Sequence, residues 1–163
     1  MSQVTAARAQ FGVSLAFHII FASIGVGLPA LMFVAEGIGL FKRDQDWYAL
    51  ARRWSIAFAI LYAIGAVSGT IIEYDLGLLW PAFMRFSGGI VGVAFLMEAV
   101  AFMVEGIFLG LYLFGWKRFS PMMHWLLNIP LIIGGVASAE LIVTANAWMQ
   151  TPTGYHITNG VLT

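Results

Sequence analysis

The run FGVSLAFHIIFASIGVGLPALMFVAEGIGLF, residues 11–41, decides the architecture. Its 31 residues contain only two ionisable side chains, His18 and Glu36. A bilayer core is crossed by a helix of ~20 apolar residues, so this run is long enough to span it. It is also too long for the short apolar region of a secretory signal, and no small-residue cleavage site follows it.

Three further apolar runs follow. Allowing ~20 residues for each crossing, the expected helices cover roughly 10–40, 53–73, 88–115 and 121–149. The fold expected is therefore all-α, an integral membrane four-helix bundle. The connections are short, so residues 1–163 form a single transmembrane domain. Composition agrees: 61% of the residues are hydrophobic and only 10% charged. So little polar surface cannot cover a water-soluble domain of this size. Net charge is zero, and there is no basic patch of the kind nucleic acid requires. The absence of cysteine excludes disulfides, thiolate iron–sulfur centres and covalent haem attachment through thioethers. No internal repeat is visible, which argues against a transporter half built from inverted repeats.

Basic residues set an orientation. Lys42, Arg43, Arg52, Arg53, Lys117 and Arg118 are six of the eight, and they fall on the first and third connections. Arg8 and Arg85 are on the other side. Lys and Arg favour the cytoplasmic side, so both chain termini are expected on the outer side. The segment Glu73–Gly89, with Tyr74, Trp80, Phe83 and Phe86, is read as an outer loop. Trp54, Trp116 and Trp148 sit near helix ends as interfacial anchors. The small-residue runs Gly65–Gly69 and Gly134–Ala139 are read as close helix packing, with room for a flat macrocycle as the second option.

Ionisable groups within lipid are costly and mark function or pairing. Five are expected there: His18, Glu36, Glu98, Glu105 and Glu140. At 1.5 Å rise per residue, His18 lies ~12 Å, Glu98 ~15 Å and Glu140 ~14 Å below the outer helix ends. The three therefore share a layer in the outer half. His18 is read either as a metal-ligating imidazole or as an interhelical hydrogen-bonding group. Glu98 and Glu105 are two turns apart and face one way, with Glu105 ~10 Å nearer the cytoplasm. Glu36 lies deeper still. Carboxylates at successive depths suit a proton path through Glu36, Glu105, Glu98 and Glu140. Separate hydrogen bonds by protonated carboxyls are the alternative. Glu73, Asp75 and Arg85 are read as a solvated ionic group, His124 as an interfacial side chain and His156 as part of a polar tail. The eight Met residues are read as packing.

Four stretches together resemble the large subunit of cytochrome bd quinol oxidases. They are Ala7–Phe11 followed by Phe17-His18, Gly69–Tyr74 with Gly77 and Trp80, Glu105 through Phe114-Gly115-Trp116, and Ala145–Gln150 with Pro152 and Gly154. The resemblance implies a terminal oxidase that oxidises quinol and reduces dioxygen to water. It implies haem b, haem d or both as cofactors, with His18 matching a histidine ligand to a high-spin haem iron near the outer surface. Glu98 and Glu105 resemble carboxylates leading protons to the dioxygen site and are the expected catalytic residues. Arg8, Glu73, Trp148 and Gln150 also match family positions. Implied partners are the remainder of this subunit, or an equivalent chain, a second oxidase subunit, and membrane lipid. The location implied is the cell membrane of a bacterium or archaeon. The chain departs from the family in spacing its carboxylates seven apart rather than eight, and in Glu140, where an aliphatic residue is usual. The family's subunit is also longer, so the chain is expected to be a fragment or one piece of a split subunit, inactive alone. A haem-free assembly or transport subunit that keeps the fold is the alternative reading.

Overall fold

The computed structural model describes residues 2–162. The order is α1 (Gln3–Lys42), α2 (Gln45–Leu79), α3 (Pro81–Gly115), α4 (Pro121–Leu126), α5 (Asn128–Gln150), then two short strands, β1 (Ile157–Thr158) and β2 (Val161–Leu162). The strands form an antiparallel hairpin. Four helical spans, with α4 and α5 counted together, are long and apolar enough to cross a membrane.

The helices extend beyond the apolar runs, and local chemistry explains each extension. Ser2 caps α1 by accepting from the Thr5 amide. The α1–α2 turn needs two residues. Arg43 adopts the left-handed conformation at φ 55° and its amide caps Gly39, while Asp44 opens α2 by accepting from the Asp46 amide. The expected outer loop over residues 73–89 is not a loop. Trp80 alone separates α2 from α3. Pro81 at the first position of α3 starts the new helix with a preset φ and no amide to satisfy. Polar residues past the end of the apolar run are held by α1: Asp75 accepts from Gln10 Nε2 at 2.9 Å and from Ser14 Oγ at 3.1 Å. This also replaces the expected solvated grouping of Asp75 with Arg85, since Asp75 is buried.

The fourth expected helix is broken at Leu127. Pro130 supplies no amide for the Leu126 carbonyl and its ring crowds that carbonyl, which explains the break between α4 and α5.

Helix α1 packs chiefly on α2, and α3 on α5, with α1–α5 and α2–α3 contacts joining the two pairs. The packed core is Met32, Phe58, Leu109, Tyr112, Leu127 and Leu131, drawn from every helical span. It lies toward the end of the bundle that carries the α1–α2 turn. Much apolar surface stays outside, including Phe17, Ile20, Val67, Leu96 and Phe114. Such a surface suits lipid or further helices.

Glycine lets α3 and α5 approach closely, and Gly134 meets backbone there. A Cβ at Gly134 would stand 3.0 Å from Glu105 Cβ and 3.1 Å from the Ala101 carbonyl and the Glu105 amide. Two of those neighbours are backbone and cannot swing away. Gly134→Val is therefore expected to cost ~1–3 kcal/mol by overpacking. Gly110→Ala, where nothing lies within 4 Å, is expected to be neutral or mildly stabilising. Denaturant unfolding of the two variants in the same detergent checks the contrast, and equal midpoints would contradict it.

Candidate functional site

His18 lies against α2. Its Nδ1 is 3.0 Å from Ser68 Oγ. Gly69 makes this approach possible, because a Cβ there would sit 3.1 Å from His18 Cε1. The imidazole is partly exposed, and beside it an open groove of about 630 Å³ runs between α1 and α2, walled by Val13, Phe17, Ile64, Val67, Ser68 and Ile71. A nitrogen ligand next to an apolar wall is a chemically suitable edge for a flat, largely apolar macrocycle with a central metal. Among the described residues no group of three or more His, Asp or Glu side chains is placed to hold a metal ion. A metal held mainly by its own macrocycle and one imidazole has no need of such a group.

Both carboxylates of α3 face α5. Glu98 Oε1 accepts from Ser138 Oγ at 2.9 Å. Glu105 is 4% exposed and its Oε1 would be 2.8 Å from a Cβ at Gly135. The two carboxylates lie within electrostatic reach of each other. Thus the Gly134-Gly135 pair serves helix packing, and it also gives Glu105 its space. Tyr62 of α2 closes the other side of α3: its hydroxyl donates to the Phe102 carbonyl at 2.8 Å and its ring stacks on Phe102.

A second polar site lies at the other end of the bundle. Glu36 is fully buried and receives three partners. His124 Nδ1 is 2.6 Å from Oε1, Tyr112 OH donates to Oε2 at 2.7 Å and Asn128 Nδ2 donates to Oε2 at 3.0 Å. His124 Nε2 donates to the Tyr112 carbonyl at 2.9 Å, near the end of α3 where helix carbonyls lack internal partners. The sequence reading of His124 as interfacial is thus corrected: it is 3% exposed and packs between Tyr112 and Trp116. The α3–α4 connection folds back over it, so a position beside Lys117 and Arg118 in sequence ends up inside. His124 and Glu36 form a 2.6 Å imidazole–carboxyl contact, an ion pair only when the imidazole is protonated. Two polar atoms here lack partners, Asn128 Oδ1 and Trp116 Nε1.

These groups do not form one continuous chain. Leu109 and Leu131, both buried, lie between the Glu36 cluster and Glu105. Glu140 and Glu73 are exposed, and Glu73 is within electrostatic reach of Glu98. Trp148 Nε1 donates to the Thr153 carbonyl, which folds the tail back on α5.

Residues 6–163 match the model of the family "Cytochrome bd terminal oxidase subunit I". The chain belongs to this family. Its bundle superposes on the bd oxidase from Geobacillus thermodenitrificans with a TM-score of 0.94 and 44% identity, covering 99% of this chain and 38% of that one. The putative cytochrome bd menaquinol oxidase subunit I of Bacillus subtilis is 39% identical over 163 residues, all of this chain and 37% of that protein. The cytochrome bd ubiquinol oxidase subunit 1 of the same organism is 36% identical over 98% of this chain and 34% of its own length. The Escherichia coli cytochrome bd-II ubiquinol oxidase subunit 1 is 34% identical over 91% of this chain and 29% of its own length. The chain therefore spans about a third of the length of these subunit I relatives. The family resemblance read from the four motifs and the all-α membrane bundle are both borne out.

Proposed function

We propose that this chain forms the N-terminal four-helix part of a cytochrome bd-type oxidase in a bacterial cytoplasmic membrane, and that His18 ligates a high-spin haem iron there. The observation that carries the proposal is the His18 imidazole, held by Ser68 beside an open apolar groove. The family assignment supports the same chemistry. The bound haem would supply the iron at which dioxygen is reduced with electrons from quinol. Helices beyond this chain, and a second subunit, are the partners that would complete the pocket, since the groove between α1 and α2 is open.

Glu98 and Glu105 are the catalytic candidates. They hold protons at two depths along the α3–α5 seam and deliver them toward the outer half. Ser138 orients the Glu98 carboxyl, and Gly135 leaves the Glu105 carboxyl free to turn. Glu36 is the inner station, with its basic flanks Lys42, Arg43, Lys117 and Arg118 toward the cytoplasm and both termini outside. The Leu109–Leu131 layer means that a proton leaving Glu36 reaches Glu105 only through water or side-chain motion. Glu140, exposed on α5, faces outward from this bundle and reaches the path only through neighbouring helices.

Glu105→Gln tests the path. It keeps size and hydrogen-bonding groups but removes the exchangeable carboxyl proton. Quinol-driven oxygen uptake by the assembled complex is expected to fall ~100-fold or more, the usual range for losing a proton-transfer group. Haem content and spectra should stay unchanged. Full oxygen uptake by this variant contradicts the path.

A further inference from the structure

We infer that Ser68 is a positioning residue that fixes which nitrogen of His18 is free to bind iron. The inference rests on the assignment of His18 as the ligand and adds a residue that the small-residue run Gly65–Gly69 concealed. Ser68 is 6% exposed on α2. Its hydroxyl has one hydrogen, and the Ile64 carbonyl takes it at 2.8 Å, with the Gly65 carbonyl at 3.2 Å. A Ser side chain bonding back to the carbonyl four residues earlier is a familiar helical arrangement. With that hydrogen committed, Oγ can only accept in the 3.0 Å contact with His18 Nδ1, and the Gly65 carbonyl is a second acceptor beside the ring. The proton of the neutral imidazole therefore sits on Nδ1, and the lone pair sits on Nε2.

Two consequences follow for an iron ligand. The tautomer is chosen before any metal binds, and a donated Nδ1–H bond raises the basicity of the other nitrogen. Gly69 contributes by omission. A Cβ there would meet Cε1 at 3.1 Å and both ring nitrogens at 3.7 Å, so any side chain would push the ring off Ser68. Ser68 and Gly69 thus act as a pair, one holding the ring and one making room for it.

The test uses the complete oxidase complex carrying Ser68→Val, Ser68→Ala or Ser68→Thr. Thr retains the hydroxyl, and Val has the shape of Thr without it. Haem retention is followed by pyridine haemochrome analysis. The iron–imidazole stretch of the reduced high-spin haem is followed by resonance Raman. Val and Ala are expected to lose the high-spin haem ~10–100-fold more readily, the usual effect of removing a ligand's supporting hydrogen bond. They are also expected to move the stretch to lower frequency, and Thr to restore both. An unshifted stretch and normal haem retention in Val overturn the inference. So does a Thr variant as perturbed as Val. If neither Val nor Ala assembles while Thr does, Ser68 is a structural strut and the inference is again overturned. His18→Ala, run alongside, separates the two levels. Loss of high-spin haem there with normal Ser68→Val spectra removes only the Ser68 role. Unchanged haem bands in His18→Ala remove the ligand assignment and the Ser68 role together.

Discussion

Replacing Glu36 by alanine is expected to destabilise the bundle by ~3–5 kcal/mol, because three buried hydrogen-bonding groups lose their partner at ~1–3 kcal/mol each. The size of the effect comes from what is left behind. His124 Nδ1, Tyr112 OH and Asn128 Nδ2 all point at the missing carboxyl, and all three residues are buried. The cluster also ties together α1, α3, α4 and α5, so its loss loosens most of the bundle at the α1–α2 turn end. Glu36→Gln separates charge from connectivity. Because His124 Nε2 donates to a carbonyl, a single proton is shared between Nδ1 and Oε1 in the neutral cluster. Gln Oε1 can accept from Tyr112 and Asn128 while its amide donates to a bare Nδ1. Every bond survives, and the cost is expected to stay near ~1 kcal/mol, that of an ordinary hydrogen-bond change. Denaturant midpoints of the two variants check this. Equal losses for Ala and Gln would show that a charged pair, rather than a neutral network, holds the site.

His18→Ala is expected to abolish quinol-driven oxygen uptake, by at least ~100-fold, since removing even a supporting partner of a metal-bound His costs 10–100-fold. The fold should survive. His18 is partly exposed, and its interhelical contacts are with Ser68 and the Gly65 carbonyl of one short stretch of α2. Ser68 keeps its bond to the Ile64 carbonyl when the imidazole is gone. A stable complex with a defective high-spin site is therefore the expected phenotype. His18→Gly leaves a space that free imidazole can enter, and added imidazole is expected to restore part of the high-spin spectrum.

Much of this was legible in the sequence because a membrane imposes strong constraints. Lipid cannot satisfy backbone amides, so long apolar runs have to be helices. The same cost makes each intramembrane ionisable residue worth naming, and His18, Glu36, Glu98 and Glu105 are all at interhelical seams. The two-turn spacing of Glu98 and Glu105 correctly put both on one face, toward α5. What the sequence concealed depended on tertiary contacts. His124 looked interfacial because its neighbours Lys117 and Arg118 are charged, yet the chain reverses and buries it. Its spacing of twelve from Tyr112, which it touches through the turn, gives no helical-face signal. The residues after Glu73 looked like a loop because they are polar and aromatic. They stay helical because α1 supplies Gln10, just before its apolar run, and Ser14, within that run, to Asp75. Ser68 was invisible as a ligand-orienting group because a serine within a small-residue run reads as packing.

The most direct measurement is the haem count of the purified complex carrying His18→Ala, set against the wild type, with optical spectra of both. Loss or marked alteration of one high-spin haem, with the low-spin bands intact, is the expected result. An unchanged haem count with unchanged high-spin bands would contradict the assignment of His18 as the iron ligand.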